Sequence, residues 1–189
     1  IIAVRGQNGD VKTWSLAENH HHNGILSHSI VPAPNSADLQ PVAQDYITRL
    51  LNHLNYVGVL TLELFVTEKG LYANEMAPRV HNSGHWSIEG SICSQFENHI
   101  RAVAGLPLGS TEVIRSTVMV NIIGQHPKSE DVLALKGAHL HLYNKTEREG
   151  RKIGHITLMP NDSAELTSLC RQLAKILPNP LSLTGDMTI

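Results

Sequence analysis

The chain has 189 residues, 41% hydrophobic and 17% charged, with 15 basic and 17 acidic side chains and a formal net charge of −2. That length suits one large domain or two small ones with a core that needs no disulfides, and near-neutral charge argues against a nucleic-acid binder, which needs a basic face for phosphates. No apolar run reaches the roughly 18 residues of a membrane span, nothing reads as a signal peptide, and Cys93 and Cys170 are too few for a disulfide framework, so a reducing cytoplasm is expected.

Ile1–Val4 and Val11–Leu16 read as strands around the turn Gly6–Asp10. The apolar opening without an initiator methionine reads as a start inside a strand. Glu18–Pro34 is polar and histidine-rich and reads as loop with one short strand near Gly24–Ile30. Ser36 is the expected cap of a helix running to about Asn55, with Leu39, Val42, Ala43, Tyr46, Ile47, Leu50, Leu51 and Leu54 at helical spacing. Val59–Val66 and Leu71–Met76 form the expected hairpin, and Pro78–Gly90 an irregular loop. Ser91 opens a helix with Ile92, Phe96, Ile100 and Val103 as its buried face, stopped by Gly105 and Pro107. Ser116–Gly124, Gly137–Tyr143 and Lys152–Met159 read as strands. Asp162 caps a last helix with Leu166, Leu169, Leu173, Ile176 and Leu177 on one face, and the tail Pro178–Ile189 has no clear period. The mixture predicts an α+β fold, divided into residues 1–124 and 125–189.

The strongest chemistry lies on the hairpin. With Glu68-Lys69-Gly70 as a three-residue loop, Thr67 faces Leu71 and Glu63 stands opposite Glu75. The other face, with Leu62, Leu64, Val66, Tyr72 and Met76, is then the core. Carboxylates facing across a ladder repel, and a divalent cation between them removes the conflict. Mg²⁺ suits such a site, because it takes one or two carboxylates together with substrate phosphates. A slip of one in register, or two solvated glutamates on an exposed sheet, is the alternative. The loop that follows adds Arg79, which can bind phosphate or carboxylate through two parallel hydrogen bonds. It also adds His81 and His85, which can exchange protons, and Gly84, which permits close backbone approach.

Glu63, followed on the next strand by Asn74-Glu75-Met76-Ala77-Pro78-Arg79, resembles the Mg–ATP site of the ATP-grasp ligases. Ala77–Trp86 (APRVHNSGHW), Gly150–His155 (GRKIGH) and Glu18–Leu26 (ENHHHNGIL) resemble the PurK-type branch, the 5-(carboxyamino)imidazole ribonucleotide synthases. The common pattern has a ligand asparagine where this chain has Ala77, a departure usual in that branch. The resemblance covers nearly all of the chain except the tail. It implies the C-terminal part of an ATP-grasp domain, an antiparallel sheet with helices, followed by a small α+β C-terminal domain. Chains of that family are about twice as long, so the resemblance implies a C-terminal half, inactive in isolation.

The implied reaction is ATP-dependent carboxylation of 5-aminoimidazole ribonucleotide by bicarbonate through carboxyphosphate, in a cytoplasmic homodimer. By motif, Glu63 and Glu75 would hold Mg²⁺, and His21, Asn74 and Glu75 would meet ATP. Arg79, His81 and Lys152 would surround bicarbonate and carboxyphosphate as catalytic residues. Asn82, Lys145, Arg148 and Arg151 would bind the ribonucleotide. A non-catalytic nucleotide-binding or dimerisation module of the same descent is the other reading.

The 12 histidines invite zinc, but His81 and His85 lack the Glu of a zinc-protease helix and have Ser83-Gly84 between them. His20 and His22 fit a solvated loop or an adventitious metal binder. His139 and His141 share the face of a strand opposite Ala138, Leu140 and Leu142, as surface or interdomain residues do. Cys93 lacks an activating arrangement.

Overall fold

The computed structural model describes residues 1–179, so the expected tail lies almost wholly outside the described residues. In chain order the elements are β1 (Ile2–Arg5), β2 (Val11–Thr13), β3 (Glu18–His22), β4 (Ile25–Val31), α1 (Leu39–His53), β5 (Gly58–Thr67) and β6 (Gly70–Ala77). There follow α2 (Ser87–Gly90), α3 (Gln95–Val103), β7 (Thr117–Ile123), α4 (Ser129–Leu133), β8 (Ala138–Leu142), β9 (Lys152–Leu158) and α5 (Ser163–Ile176). The fold is α+β, as expected.

These elements form two compact units, one of residues 1–17 and 35–114, the other of 18–34 and those from Arg115 onward. This differs from the expected division into 1–124 and 125–189. β7 hydrogen-bonds to β4 and β9, so 117–123 belong with the later residues. Residues 18–34 supply two strands to the same sheet rather than a loop.

In the first unit an antiparallel sheet runs β2-β1-β5-β6. Alternation sends Leu60 and Leu62 to one face, where they join Ala3 and the α1 residues Ile47 and Leu51 in a buried cluster. Each of the leucine and isoleucine side chains contributes roughly 1.5–3 kcal/mol by leaving water. The α1 helix begins after Asp38, which makes no side-chain cap. Ser36, the expected cap, instead offers its carbonyl to the N–H groups of Leu39 and Gln40.

α3 corrects the amphipathic reading. It starts at Ser94, whose hydroxyl accepts from the Glu97 N–H, rather than at Ser91. Its buried residues are Gln95, Asn98 and Ala102, whereas Ile92, Ile100 and Val103 are exposed. The buried amides are satisfied by backbone: Asn98 accepts from Gly109 N–H and donates to its carbonyl. The irregular loop also holds a single 3₁₀ turn, Asn82–Gly84, and the short α2.

The second unit is an antiparallel sheet in the order β3-β4-β7-β9-β8. One face, carrying Ile30, Val118, Val120, Ile122, Ile156 and Leu158, packs on Leu166, Leu169 and Leu173 of α5. Asp162 caps α5 by accepting from the Glu165 N–H, as its sequence indicates. The opposite face is polar yet buried, with Ser29, Met119, Asn121, His155 and Thr157 at 5% exposure or less.

Candidate active site

The β5–β6 hairpin places Glu63 opposite Glu75, but by another route than the expected loop. Thr67 pairs with Gly70, so the turn has two residues, Glu68 and Lys69, and Gly70 takes a φ of +113° that favours glycine. Leu64 pairs with Ala73 and Glu63 with Glu75, which leaves Asn74 as the extra residue of a β-bulge. The shorter turn and the bulge cancel, and the carboxylates meet in register. Beyond the bulge the faces exchange: Tyr72 pairs with Phe65, on the Glu63 side rather than with Leu62 and Leu64. The outer hairpin is not core either, since Val66, Tyr72 and Met76 are 65%, 51% and 45% exposed.

The bulge aims Asn74 at the site, where its Nδ2 donates to Glu63 Oε2 at 3.5 Å. His81 approaches Glu63 from the other side, with Nδ1 3.9 Å from Oε1. These two side chains are only 11% and 14% exposed, so the Glu63 charge is less screened than on an open surface. Nδ1 of His81 accepts from the Ser83 N–H at 3.4 Å and lies 2.8 Å from the Ser83 hydroxyl. That assigns the imidazole proton to Nε2.

The loop behind His81 is pinned at several points. Tyr56 donates its hydroxyl to the Pro78 carbonyl at 2.8 Å, and burial raises its pKa. The fully buried Gln95 holds both backbone groups of His81. Gly84 packs so closely that a Cβ there would stand 2.7 Å from Gln95 Oε1 and collide with Ile2 Cδ1. Arg79 is exposed, with one guanidinium nitrogen on the Val80 carbonyl at 3.0 Å. Asn82 is half-buried in the 3₁₀ turn, its carbonyl accepting from the His85 N–H. Glu63, Asn74, Glu75 and His81 are therefore brought together, with Arg79 and Asn82 on the adjoining loop. Sequence reasoning missed Tyr56, Ser83 and Gln95. Gln95 carries no motif signal, since a glutamine at the start of a helix ordinarily reads as solvated.

The oxygen donors suit Mg²⁺: two carboxylates in register, with the Asn74 amide beside them. Among the described residues no three His, Cys, Asp or Glu side chains form a group that could hold a metal ion by themselves. An open cavity of about 750 Å³ lies elsewhere, lined by Tyr46, Leu50, Leu62 and Ala73 on the hairpin face away from Glu63.

The remaining expected residues belong to the second unit. His21 is exposed on β3, just past a register shift between His20 and His21. Lys152 is half-buried and pairs with Ile123; a second bulge there turns it to the polar face shared by Asn121 and His155. Lys145 and Arg148 lie exposed on the β8–β9 loop, with Lys145 Nζ 5.2 Å above the Tyr143 ring. Arg151 donates to the Thr146 hydroxyl at 3.0 Å, within its own loop. The histidines form two stacked pairs: His20 on His28 at 4.3 Å, and His141 on His155 at 4.4 Å. The hydroxyl of Tyr143 lies 2.7 Å from His155 Nδ1, and burial raises its pKa.

Residues 1–96 match the ATP-grasp domain model, and residues 117–168 match the phosphoribosylaminoimidazole carboxylase C-terminal domain. The chain is 48% identical over 177 residues to an N5-carboxyaminoimidazole ribonucleotide synthase of Pseudomonas aeruginosa, covering 94% of this chain and 49% of that one. The crystal structure of the Thermus thermophilus synthetase superposes with a TM-score of 0.91 at 50% identity, covering 94% and 49% of the two chains. The Aspergillus clavatus synthase in complex with ADP and 5-aminoimidazole ribonucleotide gives a TM-score of 0.85 at 31% identity, covering 93% and 50%. The chain spans about half the length of the relatives it matches.

Proposed function

The chain belongs to the ATP-grasp family, in its PurK-type branch, and from that premise we propose that it is the C-terminal half of a ligase carboxylating 5-aminoimidazole ribonucleotide. The observation that carries this reading is the pairing of Glu63 with Glu75 across a bulge at Asn74, with His81 standing 3.9 Å from Glu63. In the proposed reaction a bicarbonate oxygen attacks the γ-phosphorus of ATP, giving carboxyphosphate and ADP. Carboxyphosphate breaks to CO₂ and phosphate, and the exocyclic amine attacks CO₂ and loses a proton.

Phosphoryl transfer of this kind needs positioning and charge neutralisation more than covalent chemistry. Glu63 and Glu75 are proposed to hold Mg²⁺, which when bound neutralises charge on the β- and γ-phosphates. Asn74 orients the Glu63 carboxylate and lies beside the nucleotide. The Nε2–H of His81 donates to an oxygen of bicarbonate or carboxyphosphate, and the Arg79 guanidinium offsets the growing negative charge. Asn82 is proposed to contact the ribonucleotide. For His21 with ATP, Lys152 with carboxyphosphate, and Lys145, Arg148 and Arg151 with the ribonucleotide phosphate, the support is motif resemblance. A cytoplasmic homodimer is proposed on the same ground.

The test is to supply the complete gene product with ATP, Mg²⁺, ¹³C-bicarbonate and 5-aminoimidazole ribonucleotide. ADP release that depends on the ribonucleotide, with ¹³C appearing in the product carbamate, is the expected result. ADP release without carbon transfer, or none at all, would overturn the reading. The 189 residues alone are expected to show no ribonucleotide-dependent ADP release.

A further inference from the structure

The side chain of Gln95 is fully buried at the first residue of α3. Its Oε1 accepts from the His81 N–H at 2.9 Å, and its Nε2 donates to the His81 carbonyl at 2.7 Å. A backbone N–H only donates and a carbonyl only accepts, so the two ends of the amide are assigned without ambiguity. The second Nε2 hydrogen is then directed at His85 Nδ1, 3.1 Å away. That nitrogen must accept, which puts the proton of neutral His85 on Nε2.

The helix end that carries Gln95 is itself tied to the same loop. The Gln95 N–H donates to the Ser87 hydroxyl at 3.0 Å, and that hydroxyl donates to the Gly84 carbonyl at 2.6 Å. Gly84, lacking a Cβ, lets the amide in. One side chain thus grips the loop at both ends of the 81–85 segment, and it does so where no water competes for its hydrogen bonds.

We infer that Gln95 is a positioning residue: its carboxamide clamps the backbone of His81 and selects the His85 tautomer, and so fixes where the His81 imidazole stands beside Glu63. The catalytic consequence rests on the function proposed above; the clamp itself does not. Gln95 touches no substrate in this scheme and acts through His81. A loosened loop misplaces the Nε2–H donor, and errors of about 1 Å in such groups cost on the order of 100-fold in rate.

Two substitutions separate the parts of the clamp. Gln95→Met keeps the length of the side chain and removes every hydrogen bond. Gln95→Glu keeps an oxygen toward the His81 N–H and removes both Nε2 hydrogens, the one on the His81 carbonyl and the one directed at His85. In the 189-residue chain, amide exchange and ¹⁵N imidazole spectra are the readouts. The methionine variant is expected to speed exchange of the His81 amide roughly tenfold or more, and to leave His85 a mixture of tautomers. Amides of β1 and β5 should keep their protection. The glutamate variant, which keeps only the contact to the His81 N–H, should protect that amide better than methionine does while losing the His85 preference for Nε2–H.

An unchanged His81 amide and His85 tautomer in the methionine variant would overturn the inference, as would uniform loss of protection in β1 and β5. In the complete gene product, Gln95→Met is expected to lower kcat about 10- to 100-fold with KM for ATP unchanged. Full kcat in that variant, while His81→Ala is impaired, would also overturn it. Full activity of His81→Ala would instead remove the proposed role of His81, and the exchange and tautomer data would still decide the clamp.

Discussion

At the scale of single residues, the proposed site sets repulsion against a ligand that would relieve it. Glu63 and Glu75 are directly opposed on an antiparallel pair, an arrangement that costs about 0.2–1 kcal/mol relative to a neutral pair. Neutralising one carboxylate should therefore stabilise the free chain and weaken the proposed metal site together, a pairing of effects that no purely structural glutamate produces. For Glu75→Gln the expected outcome is a gain of a few tenths of a kcal/mol in urea melts of the 189 residues. The same variant in the complete gene product should lose most of the thermal stabilisation expected from Mg²⁺ with ADP on the unsubstituted protein. Equal stabilisation by Mg²⁺ and ADP in both proteins would exclude Glu75 as a ligand.

At the scale of elements, the β3–β4 hairpin shows both what the sequence carries and what it hides. Its turn is Asn23-Gly24, both with positive φ, between paired His22 and Ile25. An Asn-Gly dipeptide is a strong short-range hairpin signal, but polar histidines on β3 masked the strand pattern. Inside the hairpin His28 is 3% exposed, stacked on His20, with Nδ1 2.9 Å from the Ser27 hydroxyl and Nε2 lacking a hydrogen-bond partner among the described residues. His20 in turn holds Glu18 at 2.7 Å. Burial first, then the neighbouring His20, lower the His28 pKa to about 4. An unfolded histidine titrates near 6.5, so between those values the unfolded chain binds the extra proton. Stability from this group is complete above about pH 6.5 and is lost as pH falls toward 4, by at most about 3 kcal/mol and less where solvent screens the edge strand. In His28→Phe, which can keep the stack, the drop in unfolding free energy between pH 7 and pH 4.5 should shrink by about 1–2 kcal/mol. An unchanged pH dependence would show that other groups carry it.

At the scale of the whole molecule, legibility followed the reach of the interaction. Helices α1 and α5 and the β5–β6 pairing depend on neighbours within a few residues, and periodicity revealed them, with the cap read correctly at α5 alone. Two features depend on distant backbone: the buried amides of α3, which reversed its expected face, and the β4–β7 pairing, which moved residues 18–34 into the second unit. No local pattern encodes those partners. Each unit nevertheless has its own apolar cluster, around Leu51 and Leu60 in the first and around Leu166 and Ile156 in the second. Leu51 and Leu166 are both fully buried, so truncating either removes transfer energy and leaves a cavity, at about 2–5 kcal/mol. Leu51→Ala should raise amide exchange in β1 and β5 first, and Leu166→Ala in β7 and β9 first, because each leucine packs against those strands' own cluster. If Leu166→Ala instead released the β1 and β5 amides before those of β7 and β9, the assignment of separate cores to the two units would be wrong.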